Sequence, residues 1–240
     1  LAEEAQAAAA DAPMVRRLRA GGAVIVAKTN MTEFALGAIG ANPHFGTPKS
    51  VWKRDAGHVP GGSSSGAAVS IADGMAYGAL GTDTGGSCRI PAAYNGIVGY
   101  KPTQRRVPLD GSVPLSFSLD SIGPLARSVS CCAILDAVLA NEPIVPLKPR
   151  PVKGMRLAVP TTIALDDLDT AVAETFERAL KTLTDHGAII EREIQLGQKW
   201  QVATRVIRMG AVGSAVVLEV PLLPGESVTT LTVPATPPHC

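Results

Sequence analysis

The pattern of apolar and polar positions along the chain predicts short strands that alternate with helices. Helices are predicted over residues 14–20, 64–72, 128–140 and 169–185. Short apolar runs predict strands over residues 23–27, 76–80, 97–100, 156–159 and 188–190, and the run at 23–27 is typical of a buried strand in a parallel sheet. This alternation predicts an α/β fold.

Residues typical of helix caps mark the ends of two predicted helices. Asp11 and Pro13 favour a helix start before residue 14, and Ser128 is placed to cap the helix that runs to about residue 140. The period of that second helix predicts an apolar face made of Cys131, Ile134, Leu135 and Val138.

The pattern changes after about residue 195. Residues 209–220 are apolar without a clear helical period, and residues 221–240 are rich in Pro and Thr with no core pattern. We therefore predict a partial domain over residues 1–195 and an atypical tail over residues 196–240, which is either disordered or read out of frame.

The composition argues against several classes of partner. The chain has 22 Lys and Arg against 21 Asp and Glu, a net charge of +1, which gives no electrostatic reason to expect nucleic acid or an anionic membrane. No apolar run approaches the roughly 18 residues of a membrane span. The four cysteines form no CxxC pair, so we expect no metal site, no disulfide framework and a cytoplasmic location.

Two loops rich in Gly and Ser hold the candidate chemistry, at residues 60–66 and 81–89. In the second loop Ser87 follows two glycines at the predicted mouth of a helix. Glycines allow backbone N–H groups to converge on one point, which is what an oxyanion requires. The amides of Thr84, Gly85, Gly86 and Ser87 are the candidate donors.

A serine nucleophile needs a base, and the four histidines of the chain show no recognisable partner arrangement. Residues 62–66 also match the pattern G-x-S-x-G, which would make Ser64 the nucleophile of an α/β-hydrolase elbow. That motif requires a strand directly before it. The residues from Gly57 to Gly62 do not form a strand pattern, so this alternative is disfavoured.

Taken together, the loops resemble the amidase signature family. The similar segments are PGGSSSG at residues 60–66, GTDTGGSCRIPAA at 81–93 and GYKPT at 99–103. The resemblance extends upstream to residues 15–35 and downstream to residues 118–129, and covers roughly residues 10–193. It implies a mixed sheet core flanked by helices, of which this chain would contain an incomplete part.

The resemblance also implies roles for individual residues. Ser87 matches the family's nucleophile, and Ser63 matches the serine that follows a cis peptide bond and relays the proton to a neutral lysine. Ser64 is implied as a supporting residue, and Asp83 and Arg89 as a pair that braces the nucleophile loop. No cofactor is implied.

The lysine of this triad is not found where the family has it. In the family it lies in an earlier segment, whereas residues 1–27 contain no lysine. Lys28 corresponds to a lysine that is not catalytic in the family, so we expect it to be structural. We therefore expect a fragment that lacks both the lysine segment and the C-terminal part of the family's fold.

The function implied by the resemblance is hydrolysis of carboxylic amides to acid and ammonia through a serine acyl-enzyme. The expected partner is a small-molecule amide, and a homo-oligomer is left open. Two alternatives remain. One is the amidase subunit of an aminoacyl-tRNA amidotransferase, and the other is a truncated, non-catalytic protein of this family.

Overall fold

The computed structural model describes residues 8–160 and 164–191. The chain divides into two compact units between Arg150 and Pro151. The predicted tail at residues 196–240 lies outside the described residues. Within the described parts, no helix is both long enough and apolar enough to cross a membrane.

The first unit contains four α-helices, three strands and two short 3-10 helices, Glu33–Ala35 and Arg54–Ala56, within its described part. In chain order the α-helices and strands are α1 (Pro13–Ala20), α2 (Ser65–Ala72), β1 (Gly78–Asp83), α3 (Arg89–Asn95), β2 (Val98–Gly99), β3 (Ser121–Ala126) and α4 (Val129–Ala140). Most of these elements match predicted ones within a few residues. Ser128 caps α4 as expected, because its side chain accepts a hydrogen bond from the Cys131 amide.

The three strands form an antiparallel sheet in the order β1-β3-β2. The central strand β3 is buried along its whole length, and the sequence pattern did not predict it because Gly123 and Pro124 interrupt the run. Gly123 is required here, since a Cβ at this position would collide with the carbonyl oxygen of Tyr100. Pro124 still accepts a hydrogen bond from the Tyr100 amide at 3.0 Å.

Two apolar clusters hold the sheet between helices. On one side α1 and α4 pack with β3 through Met14, Leu18, Val107, Ile122 and Leu139. On the other side α2 and α3 pack against Leu125 of β3 through small residues, namely Ala67, Ala68, Cys88 and Ala92. The small side chains allow the backbones that bear the two Gly- and Ser-rich loops to approach each other closely.

The second unit contains β4 (Arg156–Ala158), α5 (Thr170–Asp185) and β5 (Ile189–Glu191) within the described residues. The two strands pair in parallel, and the Asp169 side chain caps α5 by accepting from the Ala171 amide at 2.9 Å. The predicted α/β class is confirmed; within the described residues the antiparallel and parallel pairs lie in two separate sheets.

Two local predictions are wrong. Residues 23–27 form no strand, and their side chains are exposed, with Val24 at 83%. A strand needs a hydrogen-bonded neighbour, and none of the described strands pairs with this run. The predicted apolar face of α4 is wrong at Cys131 and Ile134, which are exposed, whereas Leu135 and Val138 do pack against the core. The buried side chains are Cys132, Asp136, Ala137 and Leu139, because the helix is apolar nearly all round and its pattern defines no single face.

Candidate active site

The two Gly- and Ser-rich loops meet at the start of α2. The Ser64 amide donates to the Ser87 carbonyl at 3.2 Å. The Ser64 hydroxyl accepts from the Thr82 amide at 3.2 Å and donates to the Thr82 carbonyl at 3.3 Å. Ser64 occupies the N-cap position of α2, but its side chain fastens the first loop to β1 instead of capping the helix. The structure therefore brings Ser63, Ser64 and Ser87 together.

Ser63 has a fixed backbone and an unengaged hydroxyl. The Gly62–Ser63 peptide bond is cis, as the resemblance implies. The Ser63 carbonyl accepts from the amides of Thr32 at 3.0 Å and Ser65 at 2.8 Å. Its side chain is fully buried, and the hydroxyl has no hydrogen-bond partner among the described residues. Buried hydroxyls are ordinarily hydrogen-bonded, so the Ser63 hydroxyl is an exception whose donor and acceptor positions are unused within the described part of the chain.

Ser87 lies half-buried in the turn between β1 and α3. The preceding Gly86 adopts φ +141°, a conformation that L side chains rarely adopt, and a Cβ on Gly85 would meet nothing within 4 Å. The turn is therefore open to solvent at Gly85, next to the candidate nucleophile.

The backbone amides of this turn are not all equivalent. The Gly86 amide donates to the Asp83 carboxylate at 2.8 Å, so this predicted oxyanion donor is already engaged. The amides of Thr84, Gly85 and Ser87 have no acceptor within the described parts of the chain. Three of the four predicted donors therefore have no hydrogen-bond partner among the described residues.

Asp83 holds, from within, the turn of residues 84–88 that carries the candidate nucleophile Ser87 (the nucleophile turn). Its fully buried carboxylate accepts from the Gly86 and Cys88 amides at 2.8 and 3.1 Å. The Arg89 guanidinium donates two further hydrogen bonds at 3.0 Å each. Burial opposes ionisation of Asp83, but the hydrogen bonds from Arg89 and the Cys88 amide outweigh it and hold its pKa below the ordinary value. The predicted pairing of Asp83 with Arg89 is present in the structure.

Lys101 adds a second brace that the sequence motifs did not assign to the site. Its ammonium donates to the carbonyls of Asp83 and Leu119 and to the Ser121 hydroxyl, and lies 3.5 Å from the Asp83 carboxylate. All three donors of the ammonium are used in this way, so Lys101 supports the turn and does not act as the base. The GYKPT segment is the sequence signal that pointed to it.

Exposure in one case and burial in the other argue against a chemical role for Lys28 and Cys88. Lys28 lies on the surface and forms no ion pair within the described residues, so nothing connects it to Ser63. Cys88 follows the candidate nucleophile, but burial raises the pKa of its thiol to about 12, which keeps it protonated. Within the described residues, no cluster of three or more His, Cys, Asp or Glu could hold a metal ion.

Asp120 is a further residue of the site that sequence reasoning missed. Its carboxylate accepts from the Thr84 hydroxyl at 2.5 Å, across the end of the β1–β3 pair. The downstream similarity at residues 118–129 contains this aspartate, but the motif alone does not show what the side chain contacts. The contact depends on β3, the strand that the apolar pattern did not predict.

Comparison with known proteins identifies relatives of this arrangement. The family model described as Amidase matches residues 1–216. This range extends past the predicted domain boundary at residue 195, and that boundary remains a prediction. The 2-amino-5-chloromuconic acid deaminase of Comamonas testosteroni is 45% identical over 182 residues, which cover 75% of this chain and 39% of that protein. A glutamyl-tRNA(Gln) amidotransferase subunit of Moorella thermoacetica is 43% identical over 195 residues, with 75% and 39% covered.

Solved structures of similar proteins have a similar fold. The corresponding glutamyl-tRNA(Gln) amidotransferase subunit from Thermotoga maritima superposes with a TM-score of 0.69 at 40% identity, and the match covers 76% of this chain and 43% of that one. The chain spans about two fifths of the length of the curated relatives that it matches, 39% in the two proteins above.

Proposed function

Because this chain belongs to the amidase family, we propose that it carries the nucleophile of an enzyme that hydrolyses carboxylic amides to acid and ammonia. The observation that supports this most is the contact between the two loops. The hydrogen bond from the Ser64 amide to the Ser87 carbonyl places the cis-bonded Ser63 next to the turn that holds Ser87 and its free amides.

In the proposed reaction the Ser87 hydroxyl oxygen attacks the carbonyl carbon of the amide, while the Ser63 hydroxyl accepts the proton of Ser87 and passes its own proton on. The carbonyl oxygen becomes an oxyanion that accepts from the amides of Thr84, Gly85 and Ser87. The C–N bond then breaks, the nitrogen takes up the proton relayed through Ser63 and leaves as ammonia, and the acyl group remains on Ser87. Water attacks this ester, and Ser87 regains its proton as the acid leaves.

The proton that Ser63 passes on needs an acceptor. The family resemblance implies a neutral lysine, and no lysine among the described residues donates to or accepts from the Ser63 hydroxyl. The buried and unpartnered state of that hydroxyl supports its role as a relay, because a structural serine would ordinarily be hydrogen-bonded.

A second candidate function is supported by the relatives named as glutamyl-tRNA(Gln) amidotransferase subunits. In that interpretation the same serine releases ammonia for a partner subunit instead of into solution. The name of these relatives includes tRNA. The net charge of +1 therefore argues against a nucleic-acid partner only if the chain belongs to a simple hydrolase. A cytoplasmic location remains a proposal, supported by the three free cysteines of the described chain, two of them buried.

The test is ammonia release from a panel of small amides, glutamine included, by the purified chain without partners. We expect Ser87→Ala to lower the rate at least about a thousandfold. Ser130→Ala, a matched change on the exposed surface of α4, should leave the rate unchanged. Release from simple amides favours the hydrolase, and release from glutamine alone favours the amidotransferase subunit. No release from a folded sample supports the non-catalytic alternative, and equal rates for wild type and Ser87→Ala contradict the role of Ser87.

A further inference from the structure

We propose that Asp120 is a positioning residue that sets the direction of one oxyanion donor, the Gly85 amide, through the side chain of Thr84. The inference rests on the proposed function, because it concerns how the backbone amides of that site are held in position. It starts from the contact of 2.5 Å between the Thr84 hydroxyl and one carboxylate oxygen of Asp120.

The nucleophile turn has few side chains by which it can be held. Thr84 is followed by two glycines, so no side chain fixes the backbone between Thr84 and Ser87. A Cβ on Gly85 would have no neighbour within 4 Å, so no packing fixes that residue either. Glycine permits many backbone conformations, and the direction of these amides must therefore come from anchors at either side.

Asp83 supplies only one of these anchors. Its carboxylate binds the amides of Gly86 and Cys88, which fixes the later part of the turn. The Thr84 N–H lies on the same peptide unit as the Asp83 carbonyl, which Lys101 and the Ser121 hydroxyl already hold. The Gly85 N–H lies on the peptide unit that follows the Thr84 Cα. Its direction depends on the orientation of that Cα, and the side chain of Thr84 is what Asp120 holds.

Asp120 is itself held rigidly. Asp83 and Ser121 form the last pair of the β1–β3 ladder. Thr84 directly follows β1 and Asp120 directly precedes β3, so the two residues lie at the same end of the strand pair. The second carboxylate oxygen of Asp120 accepts from the amides of Leu115 and Ser116 at 2.8 and 2.9 Å. Each carboxylate oxygen therefore has its own partners, and the Thr84 hydroxyl is the only group that links Asp120 to the turn among the described residues.

The charge state of Asp120 fixes the polarity of this contact. Partial burial opposes ionisation, but hydrogen bonds from Thr84 and from the Ser116 and Leu115 amides hold its pKa below the ordinary value. An ionised carboxylate only accepts hydrogen bonds, so the Thr84 hydroxyl must donate to it. One orientation of the Thr84 side chain is then favoured.

The kinetic test compares Thr84→Val, Thr84→Ser and Asp120→Asn in steady-state amide hydrolysis. Valine keeps the branched shape and removes the hydroxyl, whereas serine keeps the hydroxyl. Since the donors act on the oxyanion, we expect Thr84→Val and Asp120→Asn to lower kcat about tenfold or more with KM within about twofold, and Thr84→Ser to recover most of kcat. Wild-type kcat in Thr84→Val, or a serine variant no better than valine, would overturn the proposal.

A second readout keeps the result separate from the proposed function. Hydrogen–deuterium exchange of a peptide over residues 81–90 should become faster in Thr84→Val and Asp120→Asn. The matched control Thr182→Val, which removes a threonine hydroxyl from the exposed surface of α5, should not change it. Faster exchange supports the positioning role even if no sample hydrolyses amides, and unchanged exchange in both variants overturns it.

Discussion

Replacing Asp83 by asparagine tests the electrostatic support of the nucleophile turn. The substitution keeps the shape of the side chain and removes its charge. One carboxylate oxygen now accepts from the Gly86 amide and from one Arg89 nitrogen, and the other accepts from the Cys88 amide and from a second Arg89 nitrogen. Whichever oxygen becomes an NH2 group, one backbone amide and one guanidinium nitrogen will face a donor.

The cost follows from these contacts. A buried amide that loses its acceptor costs about 1–3 kcal/mol. The lost bonds to Arg89 cost less than in a fully buried pair, because its side chain is 52% exposed and can turn to water. We therefore expect Asp83→Asn to lower the free energy of unfolding by about 3 kcal/mol at neutral pH, near the lower end of values for a broken buried pair.

The assay is guanidinium unfolding of wild type and variant, followed by far-UV circular dichroism. The folded-state pKa of Asp83 lies below its ordinary value, so its ionised form stabilises the protein fully above about pH 4. This stabilisation is lost as the pH falls through the lower folded-state pKa. The stability gap between the two proteins should therefore be complete at neutral pH and shrink at strongly acidic pH.

The matched control is Asp73→Asn, which breaks the surface ion pair with Arg54 at 2.8 Å. We expect this change to cost less than about 1 kcal/mol, as exposed pairs do. If Asp83→Asn costs no more than Asp73→Asn, or if the gap does not shrink in acid, the account of Asp83 as a charged anchor is wrong.

Two further predictions concern packing and thiol reactivity. Gly66→Ala should lower the free energy of unfolding by about 1–3 kcal/mol, because the new Cβ would lie 2.5 Å from the Asn30 backbone nitrogen. The control Gly85→Ala, whose Cβ would have no atom within 4 Å, should be nearly neutral in the same guanidinium unfolding assay. An alkylating reagent followed by mass spectrometry should label the exposed Cys131 in the folded protein and Cys88 only after unfolding, and early labelling of Cys88 would contradict its raised pKa of about 12.

Local signals in the sequence predicted the helices well. Ser128 was recognisable as a cap, and the structure shows its side chain accepting from the Cys131 amide. Pro13 was recognisable as a first-turn residue and begins α1, although Ala12 and not the predicted Asp11 stands at the N-cap position, where no side chain caps the helix. Both signals lie within a few residues of the element that they start. They therefore need no knowledge of the rest of the fold.

Strands depend on partners far away in the chain, and here the sequence was a poorer guide. The apolar run at residues 23–27 has no partner strand among the described residues, so it stays irregular. In contrast, β3 is the central strand although it contains Gly123 and Pro124. Its place depends on the close approach of the Tyr100 backbone, which no local pattern reveals.

The candidate site shows the same division. The loop motifs pointed to Ser63 and Ser87, and the structure brings the two loops into contact. The braces Lys101 and Asp120 reach the turn from 18 and 36 residues away, so their contacts could not be inferred from spacing. The engagement of the Gly86 amide by Asp83 likewise became visible only in three dimensions.

Ser87 is the proposed nucleophile, and its reactivity beside the free oxyanion donors can be measured on the protein itself. The most direct measurement is mass spectrometry of the folded chain after reaction with a serine-reactive fluorophosphonate. The account predicts one covalent adduct, located on Ser87, which is lost in Ser87→Ala and kept in Ser130→Ala. An adduct on another serine, or equal labelling of wild type and Ser87→Ala, would contradict it.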